Sequence, residues 1–154
     1  MQQDRLHRYH FIDFETSGLG QLGSIQGNGI KGIQIAQNSV ADWAEYFNKD
    51  AFETIHFGSL VCLNENGTAS ACREGDQTIL GVASEHPTLI AGENKGDKSV
   101  PVGLTGLVRT LVSTSKGDIK PGDMITSSSL PGIGVKATKP GIVVGRALEE
   151  YKGN

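Results

Sequence analysis

The chain has 154 residues, of which 21 are glycine and 5 are proline, and its formal net charge is −3. Glycine at about twice its usual ~7 % share argues against a helical bundle, because each interior glycine costs a helix ~1 kcal/mol. With 37 % hydrophobic and 20 % charged residues the chain is not disordered, and its glycines lack the period of collagen. We therefore expect a mainly β protein with many turns.

The charge pattern and the apolar runs exclude several classes of partner. No basic block exceeds two residues, so a sequence-independent grip on nucleic acid is not expected. The longest apolar runs fall far below the ~20 residues of a membrane span, and residues 1–9 lack the apolar core of a signal peptide. We expect no membrane insertion, no nucleic-acid partner and no cofactor.

The first 38 residues are predicted to form a thin β-stalk. Residues 7–35 read as short strands, with six closely spaced glycines between Gly18 and Gly32. Strands so short and so poor in bulky side chains cannot bury a face within one chain, since even a hairpin is marginal alone. Pairing with other copies of the chain would solve that problem, so we predict an oligomeric stalk over 1–38. A flexible leader and an ordinary edge hairpin are the alternatives.

The densest aromatic cluster is predicted to lie on one short helix. Ser39 is a good N-cap, and Asp42 three residues later resembles the acidic partner of a capping box. Trp43 and the aromatic residues three and four positions after it would share one helical face. The helix would begin at Ser39 and end around residues 48–50.

From residue 55 onward, the chain reads as short strands broken by glycine and proline, with Asn66 and Gly67 as a strong hairpin turn. The predicted strands cover residues 59–63, 68–72, 78–83, 100–104, 107–113, 123–127, 134–137 and 142–147.

Two stretches of this region resemble each other at an offset of 64 residues. Gly58 and Gly81 of the first stretch align without a gap with Gly122 and Gly145 of the second. We predict two similar strand–hairpin–strand units within one β-rich domain over residues 39–154.

Cys62 and Cys72 flank the predicted hairpin and are expected to lie close together across it. Two small buried hydrophobic side chains are the favoured interpretation, because no targeting signal indicates an oxidising compartment. A disulfide is the alternative.

One serine and two carboxylates are the best candidates for chemistry. Ser39, Asp42 and Glu45 are spaced by three, and on a helix they would share one face near unpaired backbone amides that stabilise an oxyanion. A carboxylate there could take the serine proton or protonate a leaving amine. This is the geometry of self-cleavage near Asn38 and Ser39, and a capped helix with a solvated acidic face is the alternative.

The histidines add no metal pattern. A Ser-His-Asp triad would need His56 or His86 to be brought to Ser39 by the fold. Three copies of His7 or His10 on a threefold axis could bind a metal, but no ligand spacing supports it, and we expect no metal.

Residues 18–23 fit G-x-G-x-x-G literally. No long amphipathic helix follows them and no βαβ unit surrounds them, so a dinucleotide site is excluded.

Several segments resemble the autoproteolytic C-terminal domains of phage tail fibre, tailspike and pre-neck appendage proteins, of the G2 peptidase type. Residues 21–25 followed by 29–39 resemble the stretch that leads to an Asn-Ser-x-x-Asp junction. Residues 42–47 resemble the D-x-A-E-Y-F motif that opens the domain. Further similar segments are 80–84, 101–106, 119–129 and 131–132.

The resemblance implies a homotrimeric intramolecular chaperone at the end of a fibre shaft, which registers three chains and is then cut off in several members. Carried to this chain, it implies cleavage near Asn38 and Ser39, with Asp42 and Glu45 as acidic helpers. The implied location is the virion tail, after synthesis in the host cytoplasm.

We therefore predict a trimerisation and folding-assembly module, partnered by the upstream fibre shaft, whose only enzymatic action would be a single cut of its own chain. The alternative is a receptor-binding tip without proteolytic activity. Its contacts to a host surface glycan would come from Trp43, Tyr151 or the loop at 85–98.

Overall fold

A computed structural model describes residues 2–3, 9–16, 20–27, 33–37 and 42–153, with side chains from residue 42 onward. The chain divides into two compact units, Met1–Ser39 and Val40–Asn154. We call them the N-terminal and the C-terminal unit.

The N-terminal unit contains one antiparallel sheet in which each strand pairs with the next along the chain. Its strands are β1 (Gln2–Gln3), β2 (Tyr9–Thr16), β3 (Gly20–Gly27) and β4 (Ile33–Gln37). The prediction of short strands in this part of the chain is confirmed, and its role as an oligomeric stalk stays a prediction.

The C-terminal unit contains two sheets. The larger has six strands in the order β7-β6-β8-β10-β5-β9. Their bounds are β5 (Asp42–Asn48), β6 (Leu60–Leu63), β7 (Ala69–Ala71), β8 (Ile79–Ala83), β9 (Leu89–Ala91) and β10 (Ser99–Gly106). The smaller sheet has the order β11-β13-β12-β14. Its strands are β11 (Val112–Ser113), β12 (Met124–Ser127), β13 (Gly134–Lys136) and β14 (Gly145–Arg146).

The segment predicted as a helix from Ser39 is a strand where the structure describes it. β5 pairs antiparallel with β10 and parallel with β9, and within residues 42–153 the single helical element is the 3-10 turn Gly96–Lys98. Three of the seven residues of β5 are aromatic, and aromatic side chains favour strands. The two flanking strands provide hydrogen-bond partners for the backbone of β5. These bonds outweigh the helical spacing of the aromatic residues, which is a feature of the local sequence alone.

Two predicted strands are shorter than expected, and β9 was not predicted. Only β11 forms within 107–113, and only β14 forms within 142–147. β9 lies inside the segment that was predicted as a loop at 85–98. Its three residues pair only with β5, whose own position as a strand was not predicted.

The predicted repeat is confirmed by its hydrogen bonds. The Gly58 amide donates to the Ala83 carbonyl at 2.8 Å, and the Gly122 amide donates to the Ala147 carbonyl at 2.8 Å. Both glycines have positive φ, 87° and 95°, a conformation that glycine adopts without the steric cost of a side chain. Each repeat therefore opens with the same turn.

Strand pairing follows the same rule in both repeats. β6 pairs with β7 on one side and β8 on the other, and β12 pairs in the same way with β13 and β14. Leu60↔Val82 in the first pairing corresponds to Met124↔Arg146 in the second, an offset of 64 residues at each position. We call residues 58–84 repeat 1 and residues 122–148 repeat 2.

The two cysteines form a disulfide within repeat 1. Cys62 and Cys72 lie across the β6–β7 hairpin with their Cα atoms 5.0 Å apart, and both are buried beside Leu60. Their closeness was predicted correctly, but the favoured interpretation of two free hydrophobic side chains is wrong. The hairpin holds the two Cα atoms within the range that a disulfide requires.

Neither the described N-terminal strands nor residues 42–153 include a helix with the length and hydropathy of a membrane span.

Candidate functional site

Asp42 is the most unusual polar residue of the C-terminal unit. Its side chain is 2 % exposed, and its Oδ2 atom has no hydrogen-bond partner among the described residues. A buried carboxylate oxygen without a partner costs free energy, so such an atom in a folded protein calls for an explanation. Asp42 is also the first residue of β5, directly after the segment that was predicted to be cut.

The fold fixes the backbone of Asp42 from both sides. On one side Asp42 is paired with Gly106 at the end of β10. On the other, the carbonyl of Asp42 accepts a hydrogen bond from the Thr88 amide at 2.9 Å, just before β9. The chain on the C-terminal side of the predicted junction is thus anchored inside the six-stranded sheet.

A glycine on β10 makes room for the carboxylate. A Cβ atom at Gly103 would lie 3.1 Å from Asp42 Oδ2 and 2.9 Å from Val108 Cγ2, which is closer than side chains tolerate without movement. Strand β10 is irregular at this point, because its register with β5 shifts between Gly103 and Thr105. The bulge and the missing side chain together create the space that Asp42 fills.

Glu45 does not join this site. Asp42 is buried and Glu45 is exposed, and because side chains alternate along a strand, residues three apart face opposite sides of the sheet. The expectation that Ser39, Asp42 and Glu45 share one helical face is therefore wrong. Ser39 and Asn38 lie outside the described residues, so their roles in cleavage stay predictions.

His56 and His86 are exposed, whereas Asp42 is buried. The His86 side chain is 80 % exposed, with Nε2 3.9 Å from Glu85 Oε1. The side chains of His7 and His10 lie outside the described part of the chain, so the threefold metal hypothesis for them is untested.

A cavity of about 530 Å³ lies between the two sheets of the C-terminal unit. The larger sheet contributes Gly81, Val82 and Gly103 to its wall, and the segment around β14 contributes residues 144–149. Gly103 therefore lines this cavity and also lies against the Asp42 carboxylate.

One group of possible metal ligands occurs in the described residues, and its chemistry argues against a metal centre. Cys62, Cys72 and Asp76 bring their ligand atoms within 4.8 Å of one another. Both sulfur atoms are bonded to each other, whereas the thiolate is the form that binds metals. Asp76 alone remains as a ligand, and it already accepts a hydrogen bond from the Arg73 amide at 2.7 Å.

The residues predicted to contact a glycan are exposed but belong to different elements. Trp43 is 57 % exposed on β5, and Tyr151 is 48 % exposed where it bridges to Ile119. The segment at 85–98 contains β9 and the 3-10 turn rather than an irregular loop. Glycan binding by these residues stays a prediction.

Sequence reasoning found Asp42 and missed Gly103. Gly103 lies in a segment that resembles the autoproteolytic domains, but its role depends on β5 lying next to β10, which local sequence does not show. The signal that could have found it is the lone glycine inside a predicted strand, which often marks a close approach.

Comparison with known proteins places these residues in a family. The sequence model of Peptidase_G2, described as an IMC autoproteolytic cleavage domain, matches residues 17–97, a range that includes Ser39 and Asp42. No curated protein matches the chain. Among solved structures, the chain is similar to the pre-mature gene product 12 of bacteriophage phi29, with 16 % sequence identity and a TM-score of 0.56.

That structural similarity covers 81 % of this chain and 24 % of the phage protein, so the chain spans about a quarter of its length. At this level of identity the similarity establishes a shared fold.

Proposed function

The chain belongs to the Peptidase_G2 family of IMC autoproteolytic cleavage domains, and from this premise we propose that it cuts its own backbone once, between Asn38 and Ser39. Ser39 is the nucleophile in this proposal and Asp42 is the acid–base group. The cut would release the N-terminal strands, residues 1–38, from the C-terminal unit.

The observation that carries the proposal is the unpartnered Oδ2 atom of Asp42. Ser39 is only three residues away, so covalent geometry keeps its Cα within about 11 Å of the Cα of Asp42. A serine hydroxyl would give the buried oxygen the hydrogen-bond donor that it lacks among the described residues. Burial also strengthens such a bond, because bulk water does not compete for either group.

The proposed reaction exchanges a peptide bond for an ester and then hydrolyses the ester. Asp42 accepts the Ser39 hydroxyl proton while Oγ attacks the carbonyl carbon of Asn38. The bond between that carbon and the Ser39 nitrogen breaks, and the nitrogen takes the proton and leaves as an amine. Water then cleaves the ester, which yields a carboxylate on Asn38 and a free amine and hydroxyl on Ser39. The reaction is single-turnover, because each chain contains one such bond.

The geometry favours Asp42 over Glu45 as the acid–base group. Glu45 is exposed on the opposite face of β5, where its carboxylate already has water as a partner. This difference turns Glu45→Gln into a matched control, since it removes the same charge from the same strand.

Intact mass spectrometry of the purified chain tests the proposal. We expect fragments that end at Asn38 and begin at Ser39 from the natural sequence and from Glu45→Gln. Ser39→Ala should stay at full length, and Asp42→Asn should cut at least about 100-fold more slowly, which is the low end of general acid–base contributions.

Two results would overturn the cleavage proposal. One is a natural chain that stays at full length over days, and the other is an Asp42→Asn chain that folds and cuts at the natural rate. Circular dichroism of each variant shows whether it is folded, so a lost cut is not mistaken for a lost fold.

We further propose that the C-terminal unit is a trimerisation and folding module of a phage tail fibre or spike, acting with the upstream shaft in the virion tail. The similar fold in a phage protein supports it. So does the surface of the unit, on which thirteen large apolar side chains are at least 39 % exposed. Exposed apolar side chains that lie together, as Leu104, Leu107, Leu148 and Tyr151 do along one cavity, are typical of an interface with other chains.

The thermodynamic role of such a module is to hold three chains together before their strands pair. Once the C-terminal units associate, the N-terminal strands meet at a high effective concentration. Their pairing then no longer costs the entropy that separate chains lose when they associate. Light scattering of the Ser39→Ala chain should give three times the mass of one chain at micromolar concentration. A monomer under these conditions would contradict this part of the proposal.

A further inference from the structure

The two repeats differ at one edge of the sheet. In repeat 1, β8 lies between β6 and β10, with Ala83 paired to Val102 and Val82 paired to Gly103. In repeat 2, the corresponding strand β14 pairs with β12 and is the last strand of its sheet. Among the described strands, none takes the place beside β14 that β10 takes beside β8.

Backbone groups of β14 point out of this open edge. The Ala147 amide donates to the Asp123 carbonyl at 2.8 Å on the β12 side. Because neighbouring residues of an antiparallel strand bond to opposite sides, the amides of Arg146 and Leu148 face the open edge. The counterpart of Leu148 in repeat 1 is Ser84, whose amide donates to the Pro101 carbonyl on β10 at 2.9 Å.

A glycine marks the same place in both repeats. A Cβ at Gly81 would overlap the carbonyl oxygen of Gly103 on β10, so repeat 1 needs glycine there to let β10 approach. Gly145 is the counterpart of Gly81, and a Cβ there would meet no atom of the described residues within 4 Å. Repeat 2 thus keeps the glycine that a neighbouring strand requires, beside an edge with empty space. Glycine inside a strand often marks such a close approach of another backbone.

The surface next to the open edge is mostly apolar, although the charged residues Arg109, Arg146 and Glu149 also lie along it. Leu104, Leu107, Leu148 and Tyr151 line the cavity beside β14 and are 47–64 % exposed. An exposed strand edge flanked by apolar side chains is a template for pairing with another strand.

The larger sheet has a matching edge of its own. β9 is its last strand, and its three residues, Leu89–Ala91, are all exposed. Leu89 and Ile90 are 39 % and 44 % exposed. β9 has three residues and β14 has two, so the two strand edges are similar in length. The apolar side chains of β9 match the apolar surface beside β14.

We propose that β14 of one copy pairs antiparallel with β9 of a second copy of this chain, so that Gly145 admits the neighbouring backbone as Gly81 admits β10. This inference rests on the proposed self-association and names its contact surface. Because β9 and β14 are different edges, the contact is head-to-tail, and repeating it around a rotation axis closes a ring. Three copies would form the proposed trimer with no edge of either kind left open.

The surface available is large enough for such a contact. Six large apolar side chains lie along the two edges, namely Leu89, Ile90, Leu104, Leu107, Leu148 and Tyr151. At about 100 Å² each they offer on the order of 600 Å², which is the apolar share of the ~1,000 Å² that a specific interface must exceed.

Sedimentation velocity of the full chain in the Ser39→Ala background tests the proposal, because cleavage is then removed from the result. Gly145→Ala should weaken association at least tenfold, whereas Gly141→Ala should leave it unchanged. Gly141 is the matched control, since a Cβ there also meets nothing within 4 Å. On the other edge, Ile90→Lys should weaken association and Leu130→Lys, at a 55 % exposed position, should not.

Mixing the two edge variants tests the head-to-tail geometry. Gly145→Ala keeps an intact β9 edge, and Ile90→Lys keeps an intact β14 edge. Each variant alone should be monomeric, and an equal mixture should form a one-to-one complex but no larger species. Hydrogen exchange should show slow amides at Arg146 and Leu148 in the assembled chain and fast ones in the variants.

The outcomes separate this inference from the proposed function. A trimer that Gly145→Ala does not weaken, with fast exchange at Arg146, overturns the edge pairing and leaves the trimer standing. A monomeric Ser39→Ala chain overturns both. A monomer with slow exchange at Arg146 shows that the edge is covered from within one chain, which also rejects the second copy.

Discussion

The two repeats share a backbone and differ in what surrounds it. Both begin with a positive-φ glycine whose amide bonds to the carbonyl 25 residues later, from Gly58 to Ala83 and from Gly122 to Ala147. Repeat 1 is embedded in a six-stranded sheet, and repeat 2 belongs to a four-stranded sheet that ends at β14. The edge strand of the same local unit can therefore pair with a further strand of its own chain, as in repeat 1, or remain available to another chain, as in repeat 2.

A second difference lies in the hairpins. Repeat 1 carries the Cys62–Cys72 disulfide, whereas repeat 2 has Thr126 and Ala137 at the positions that are hydrogen-bonded in the same way. The Cys72 amide donates to the Leu60 carbonyl and the Ala137 amide to the Met124 carbonyl, so β13 lies one residue beyond the 64-residue offset. Thr126 instead donates its hydroxyl to the Ile142 carbonyl at 2.8 Å. A covalent link in one repeat thus stands where the other has a hydrogen bond and an alanine.

The sharpest test of the comparison replaces each of the two equivalent glycines by alanine. Gly81→Ala should lower the free energy of unfolding by about 3 kcal/mol or more, because its Cβ would overlap the Gly103 carbonyl oxygen. Gly145→Ala should change it by less than about 0.5 kcal/mol in the monomer. Urea unfolding at low protein concentration measures both, and equal losses would show that the two edges do not differ.

The disulfide should give the next largest effect. Replacing Cys62 and Cys72 by alanine should lower the free energy of unfolding by about 2–3 kcal/mol, the value expected for a loop closed over ten residues. A reductant should shift the unfolding midpoint of the natural chain and leave the double variant unchanged. Thr126→Ala is the control in repeat 2, and a natural chain that ignores the reductant would contradict the prediction.

The smallest effect is the pH dependence of repeat 2. The hydrogen bond from the Lys136 ammonium, with Nζ 2.8 Å from Asp123 Oδ2, and a second one from the Lys120 amide hold the pKa of Asp123 below its ordinary value. A carboxyl whose pKa is lowered by folding stabilises the protein fully above its unfolded pKa of about 3.9. That contribution is lost as the pH falls through the lower folded value.

Asp123→Asn tests this pH dependence. We expect the variant to be slightly less stable than the natural chain above pH 5 and to lose less stability between pH 4 and pH 2. The counterpart in repeat 1 is Ser59, which does not titrate, so Ser59→Ala should leave the shape of the pH profile unchanged. Thermal unfolding across this range measures the effect, and parallel profiles for Asp123→Asn and the natural chain would contradict it.

Some features of the fold follow from local sequence. Asn66 and Gly67 predicted the β6–β7 hairpin, in which Gly67 has φ 79° and its amide donates to the Asn64 carbonyl at 2.9 Å. The 64-residue offset predicted the duplication. These predictions succeeded because a turn is decided by the residues within it, and glycine alone adopts positive φ without strain.

The candidate site was predicted in part. Asp42 was singled out by its place in an Asn-Ser-x-x-Asp segment, but on the wrong secondary structure and in the company of Glu45. The burial of Asp42, its lack of a partner and the space left by Gly103 all depend on β10, about 60 residues away in the sequence. A pattern among neighbouring residues cannot show a contact between residues so far apart in the sequence.

The sequence by itself determined the mainly β character of the chain, its turns and its internal repeat, because 21 glycines act through local φ preferences. Tertiary structure alone decided that residues 42–48 form a strand, that Cys62 and Cys72 bond, and that β14 is left open. Each of these depends on which strand becomes a neighbour, and sheet neighbours are chosen by long-range packing and hydrogen bonding. Gly81 and Gly145 illustrate both contributions. Glycine allows a neighbouring strand to approach the backbone closely, and the tertiary fold decides whether such a strand is present.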